Sequence, residues 1–270
     1  MPPENENSIL ALKSVTFSFS EQALYAGLDF EQRRGIFTCL LGPNGCGKST
    51  LIRLLAGIYS PSQGEIIWEN RALSAIPARQ RPEIVGYLPA ETVSYLPYTI
   101  EQMVELHTSI FSGGILSPDR QRAQRYRRNA LNLLEEFQLA VNRPGAGRRR
   151  KNIEQFSSGE KKRLYLALAL AANPRFLLLD EPDTHLDIHI ITDIFRKLKS
   201  LAAEGKGVLL ATHNINAALR FADRFILIDQ QHRLLHNGRA DNAFWRQMTK
   251  IYGGAFRRVR CRSKSYIIPD

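Results

Sequence analysis

The nine residues GPNGCGKST at positions 42–50 decide how this chain is read. They fit the spacing G-x-x-x-x-G-K-[ST], with an apolar strand-like run before them and an apolar-periodic helix after them, the context that the pattern needs. Gly42, Gly45 and Gly47 let the backbone turn so that successive N–H groups point at phosphate oxygens, with Pro43 and Asn44 inside the loop. The helix that starts there adds partial positive charge at the same place. Lys48 is placed to reach the β- and γ-phosphates of a nucleotide, and the hydroxyl of Ser49, followed by Thr50, to bind Mg²⁺. Cys46 reads as a small filler with no redox role.

Two acids complete that site. FLLLDEP places Asp180 and Glu181 at the end of a run that is apolar at consecutive positions, as expected of a central parallel strand buried on both faces. Open α/β sheets bind ligands at that end of their strands. Neighbouring strand residues point to opposite sides, so the two acids can take different tasks: Asp180 the metal, Glu181 the attacking water as general base. His213 follows the apolar stretch VLLAT, again at a strand end, and is assigned a hydrogen bond to the γ-phosphate or the water. His107, His232 and His236 have no partner pattern and are read as structural.

A second helix start suits anions. In FSSGEKKRLYLALALAANP, residues 156–174, Ser157 or Ser158 caps the helix, Gly159 allows close backbone approach, and Asn173 and Pro174 end it. Lys161, Lys162 and Arg163 in the first turns oppose the helix dipole unless an anion lies nearby.

Around these motifs, short apolar strands alternate with helices, which predicts an α/β protein with a mainly parallel, helix-covered sheet. Strand candidates are 10–19, 36–41, 65–68, 84–88, 176–180, 208–211 and 225–229. One helix runs from inside GKST to Gly57. Another opens at Thr99, with Gln102 completing a capping box. A third spans about 119–141, carrying Leu131, Leu134, Phe137 and Val141 at helical spacing, and breaks over 142–147. Residues 95–170 are expected to form a helical subdomain inserted between strands. Residues 252–270 read as a basic tail, either a small hairpin or an ordered arm.

At 270 residues, 23% charged and 44% apolar, the chain is long enough to bury a sizeable core and is not disordered. Its longest apolar run, 164–172, falls far short of the ~20 residues of a membrane span. Residues 1–8 show neither a basic start nor an apolar stretch, so no secretory signal is expected. Cys39, Cys46 and Cys261 lack metal-ligand spacing and suit a reducing cytosol. The net charge of +11 gathers in Arg120, Arg122, Arg125, Arg127 and Arg128 and in Arg148, Arg149, Arg150 and Lys151. A solvated helix face plus a basic loop accounts for both clusters, with attraction to anionic lipid second. No aromatic residues interleave the arginines, so nucleic acid is not an expected partner.

These motifs, in this order, resemble the ATP-binding subunit of an ATP-binding-cassette (ABC) transporter over about 9–241. Residues 42–50 look like Walker A and 176–181 like Walker B with its catalytic glutamate. FSSGE at 156–160 looks like a variant of the LSGGQ signature, His185–Asp187 like the D-loop, and His213 like the switch histidine. The resemblance implies a P-loop NTPase fold of ABC type, with an antiparallel N-terminal β subdomain and the inserted helical subdomain, in a domain ending near 245 before a tail over 246–270. It implies ATP and Mg²⁺ as ligands and an early aromatic residue stacked on adenine, for which Phe19 is the candidate and Phe17 the neighbour to exclude. It also implies a head-to-tail dimer, a homodimer, in which Ser157, Ser158, Gly159 and Glu160 of one copy meet the γ-phosphate held by the other. The catalytic set is then Glu181, His213 and Lys48, the metal set Ser49 and Asp180, and the D-loop residue Asp187.

Further partners implied are membrane permease subunits and, indirectly, a periplasmic or surface substrate-binding protein, at the cytoplasmic face of the inner membrane. The spellings DEPDTHLDI and GPNGCGKST and the YGG…IIPD tail resemble the branch importing iron chelates, haem and cobalamin. Branches for metal ions or amino acids share most of these spellings. A soluble cassette acting in DNA repair or translation, and a regulatory module that closes on ATP but barely hydrolyses it, are the rival classes. One departure concerns the glutamine that the family carries after the 85–89 strand. Here GYLPAE puts Ala90 at that position, so that either Glu91 takes over after a one-residue shift, or the chain hydrolyses slowly or couples differently. Glu160 in place of the final Gln of the signature adds a negative charge, which Lys161 and Lys162 are expected to offset.

Overall fold

The computed structural model describes residues 9–19, 22–91, 97–112, 119–139, 152–184, 186–253, 256–261 and 264–269. Its chain order begins with strands β1 (Ile9–Ser18), β2 (Ala23–Arg33) and β3 (Phe37–Leu41), helix α1 (Lys48–Leu55), strands β4 (Gln63–Trp68) and β5 (Arg71–Ala72), helix α2 (Arg81–Ile84) and strand β6 (Val85–Leu88). Helices α3 (Ile100–Phe111), α4 (Arg120–Glu136) and α5 (Ser158–Ala171) follow, then β7 (Phe176–Asp180), α6 (Ile188–Ala203), β8 (Gly207–Ala211) and α7 (Ile215–Phe221). The chain ends with β9 (Arg224–Ile228), β10 (Leu234–Gly238), α8 (Asn242–Tyr252), β11 (Phe256–Cys261) and β12 (Lys264–Pro269).

The central sheet has the order β10-β9-β3-β8-β7-β6, with every pair parallel except β10 with β9. Every residue of β3, β7 and β8 is buried, because helices cover one face and a second sheet the other. Alternation divides their side chains between two cores. Phe37, Cys39, Leu41, Leu177, Leu179, Val208 and Leu210 face the helices, while Leu40, Leu178 and Leu209 face α1 and the N-terminal strands. Those strands form an antiparallel sheet of order β2-β1-β4-β5.

The chain therefore has the expected α/β architecture, and several boundaries differ for local reasons. Residue 84 closes α2, a turn started by Pro82, so the strand begins at Val85. The third predicted helix stops at Glu136, where Gln138 turns to φ 57°; Val141 and residues 142–147 lie outside the described residues. The boundary drawn at 245/246 falls inside α8, whose Phe244, Trp245 and Met248 are buried in the main core. After α8 the chain forms a β11–β12 hairpin.

On α4, Arg122 and Arg125 both reach Glu83, and Arg127 pairs with Glu105, surface contacts worth about 0–1 kcal/mol each. The basic residues 148–151 lie outside the described residues. No helix among the described residues is long and apolar enough to cross a membrane.

Candidate nucleotide site

The phosphate loop joins β3 to α1 and closes on itself. Lys48, buried, donates from Nζ to the carbonyl oxygens of Gly42 and Pro43, both at 2.9 Å, which curls the loop around its own amine. Two glycines are demanded by contact. A Cβ on Gly42 would stand 2.4 Å from the Ile228 carbonyl oxygen. One on Gly47, at φ 100°, would stand 2.6 Å from the Tyr25 hydroxyl, which donates to the Gly47 carbonyl at 3.0 Å. Cys46 is fully buried, and burial pushes its thiol pKa up, as suits a packing residue. The turn after β9 supports the loop from outside. There Gln230 donates to the Asn44 carbonyl at 3.4 Å, and His232, read from sequence as structural, lies edge-on to Tyr25.

Asp180 ends β7 completely buried, and neither carboxylate oxygen has a hydrogen-bond partner of good geometry among the described residues. Burial raises its pKa, while the Ser49 hydroxyl beside it acts in the opposite, smaller sense. A buried, orphaned carboxylate next to a hydroxyl at the head of a phosphate loop fits a Mg²⁺ ion. No cluster of three or more His, Cys, Asp or Glu side chains able to hold a metal occurs among the described residues.

Glu181 leaves the strand at φ 49°, an uncommon conformation for a non-glycine residue. Two backbone contacts hold it there. Its N–H donates to the Ala211 carbonyl at 2.9 Å, and its carbonyl accepts from Lys162 Nζ at 2.6 Å. The side chain then meets the His213 ring, Nε2 to Oε1 at 2.9 Å, and its other oxygen accepts from the Thr184 hydroxyl at 3.2 Å. His213 and Glu181 remain partly open to solvent, with 42% and 25% of their side chains exposed, so a water has access to the pair.

Beneath them Thr212 donates to Asp183 at 2.6 Å, and burial raises the Asp183 pKa. Asp183, and the tie of Lys162 to Glu181, are what sequence reasoning missed. For Lys162 a signal existed, since it falls on the same face of α5 as the buried Leu166 and Leu170, where a lysine needs a dedicated acceptor.

The second anion-facing helix start is α5. Ser157 is its cap: the hydroxyl accepts from the Glu160 N–H at 3.1 Å and Glu160 Oε2 accepts from the Ser157 N–H at 2.8 Å. Glu160 is thus turned back on the helix start as half of a capping box. This corrects the expected offset of its charge by Lys162, whose amine is buried and directed at Glu181. Ser158 opens the helix. A Cβ on Gly159 would press on Leu186 at 2.8 Å, so the signature segment packs against the D-loop segment of its own chain.

Asp187 occupies the cap position of α6 without a side-chain capping bond, followed by Ile188 with 72% exposure, while His185 lies outside the described residues. Phe19 is 64% exposed, edge-on to Phe17 and Tyr59, whereas Phe17 is buried and stacked on Tyr59. Of the two rings only Phe19 offers a free face. Ala90 follows β6 half-buried with Glu91 exposed beside it.

Comparison with known proteins adds a family. The family described as ABC transporter matches residues 25–184. The spermidine/putrescine import ATP-binding protein of Mycoplasma mycoides subsp. mycoides SC is 29% identical over 226 residues, 83% of this chain and 60% of that protein, so the chain spans about three-fifths of that relative's length. The lipopolysaccharide export system ATP-binding protein of Escherichia coli K12 is 31% identical over 228 residues, 84% of this chain and 89% of its own. Among solved structures, a dimeric ABC cassette in a post-hydrolysis state with ADP and phosphate superposes with a TM-score of 0.68 at 26% identity, covering 86% of this chain and 99% of that one.

Proposed function

The chain belongs to the ABC transporter family, and from that premise we propose that it is an ATPase subunit whose hydrolysis of ATP drives transport through separate membrane subunits. The observation that carries the reading is the convergence of three strand ends: the β3 phosphate loop, Asp180 and Glu181 after β7, and His213 after β8. The loop amides and Lys48 hold the phosphates. Ser49 and Asp180 would hold Mg²⁺, which would supply charge neutralisation for the nucleotide phosphates. Glu181, fixed by its backbone contacts and by His213, accepts the proton of the attacking water, and His213 supports that water or the γ-phosphate. Phe19 stacks on adenine.

Ser157, Ser158 and Gly159 complete the site of a second copy in a head-to-tail dimer, so that ATP joins two subunits and its hydrolysis releases them. The post-hydrolysis dimer among the similar structures supports dimer formation. The cassette runs through α8, to about residue 252, with 95–170 as its helical subdomain, and works at the cytoplasmic face of the membrane beside permease subunits.

The finer proposal is import of a metal chelate of siderophore-iron, haem or cobalamin type, supplied by a substrate-binding protein. It rests on the spelling of residues 42–50 and 180–188 and of the C-terminal tail; the relatives include both an importer and an exporter, so they support transport without its direction. Ala90 supports a second reading, a module that closes on ATP and turns over slowly.

Purified chain with Mg-ATP should release phosphate, and Lys48→Ala should stop it. ATP-dependent association without phosphate release, with permease present, favours the module instead. Chelate-stimulated hydrolysis in the reconstituted transporter tests the cargo, and stimulation only by a polyamine or a lipid would overturn the import of a chelate.

A further inference from the structure

The β11–β12 hairpin takes no part in the nucleotide site described above, yet it is fastened to the element next to it. The Asn216 side-chain amide meets one residue of β12 twice: its Nδ2 donates to the Ile267 carbonyl at 3.0 Å, and its Oδ1 accepts from the Ile267 N–H at 2.9 Å. A side chain here completes the hydrogen bonding of a strand edge, as a neighbouring strand would. Asn216 sits in the first turn of α7, the helix that begins immediately after His213 and Asn214. Asn214 caps that helix by accepting from the Ala217 N–H, so residues 213–217 form one compact turn.

The hairpin is anchored at its other end as well. Phe256 and Ile267 pack on the main core, the Arg258 guanidinium lies 4.4 Å over the Trp245 ring of α8, and Tyr252 sits edge-on to Phe256. Between hairpin and switch segment remains a cavity of about 530 Å³ lined by His213, Asn214, Asn216, Tyr252, Phe256 and Ile267, among others. The hairpin thus spans a gap on whose far wall the histidine stands, and Asn216 is the polar tie across it.

We propose that the C-terminal hairpin is a brace for the switch histidine: through Asn216 it fixes the first turn of α7 and so holds His213 in reach of Glu181. Asn216 is a positioning residue, since both ends of its amide are taken up by the Ile267 backbone. The inference rests on the assignment of His213 made above.

The test is steady-state ATP hydrolysis by the full-length protein and by Asn216→Ala, His213→Ala and the double variant, with a variant ending at residue 253 as a second perturbation. Asn216→Ala is expected to lower kcat about 3–10-fold with KM for ATP unchanged, because the phosphate loop is untouched. In the His213→Ala background the same substitution should change nothing, the non-additivity expected of residues acting in series. Faster amide exchange at 215–218 and at Ile267 in Asn216→Ala should accompany the loss of rate, and the truncated chain, which lacks Ile267, should reproduce the loss of rate and the faster exchange at 215–218.

A rate that falls with His213→Ala but not with Asn216→Ala overturns the inference alone. An equal fold-loss from Asn216→Ala in both backgrounds overturns it too, because the effect would then bypass His213. A rate indifferent to His213→Ala overturns the assignment of the histidine and the inference with it.

Discussion

Asp180 is completely buried and neither carboxylate oxygen has a hydrogen-bond partner of good geometry among the described residues, so its carboxylate should weaken the nucleotide-free protein. Replacing it by Asn keeps the shape and removes the charge. A buried polar group left without a partner costs about 1–3 kcal/mol, and more when charged. The amide of Asn is itself unsatisfied there, so only the charged part of the penalty is recovered, about 1–2 kcal/mol. At roughly 2–4 °C per kcal/mol for a chain of this size, Asp180→Asn should raise Tm by about 2–8 °C without nucleotide at pH 7.5.

The dependence on pH has a definite sign. Burial lifts the folded-state pKa of Asp180 above that of the unfolded chain. Between the two values the folded protein binds more protons, so this group makes stability fall as pH rises through that window. The advantage of Asn is therefore largest at neutral pH and vanishes below about pH 4, where the carboxyl is neutral in both states. Mg-ATP should raise the Tm of the wild type more than that of the variant, and the variant should release no phosphate. The assay is a thermal melt with and without Mg-ATP across pH 3.5–8, beside phosphate release. A variant that melts at or below the wild type without nucleotide at pH 7.5 would refute the reasoning.

Gly47→Ala sets a Cβ against the Tyr25 hydroxyl at φ 100° and should cost about 1–3 kcal/mol in thermal stability as well as nucleotide affinity; full retention of ATP binding would contradict the contact. Phe19→Ala removes an exposed ring, so Tm should hardly move while KM for ATP rises about 5-fold or more at constant kcat, as expected when about 1–3 kcal/mol of base stacking is lost. Phe17→Ala, by contrast, should lower Tm, because that ring is buried against Tyr59. Ala90→Gln should speed phosphate release if the alanine limits turnover, and an unchanged rate sinks that idea.

What the sequence revealed follows from where function constrains residue type. Gly42, Gly47 and Lys48 are legible because backbone clearance and a single amine leave few alternatives. The strands β3, β7 and β8 are legible because burial on both faces forces consecutive apolar residues. β2 escapes a strand-by-strand reading because much of it is exposed and its apolar alternation is correspondingly weak. Lys162, Asp183 and Asn216 act on partners 19, 29 and 51 positions away, and no local pattern announces a contact made only by folding. Glu160 was legible as a position and misleading as a charge, since its carboxylate is taken up by the cap of its own helix.

The central claim is that Glu181 turns a phosphate-binding site into a motor. It is tested most directly by phosphate release from Mg-ATP for wild type and Glu181→Gln, with association state followed by size in the same samples. The account predicts hydrolysis in the wild type, its loss in the variant, and an ATP-stabilised dimer that the variant retains. Undiminished hydrolysis in Glu181→Gln would contradict it.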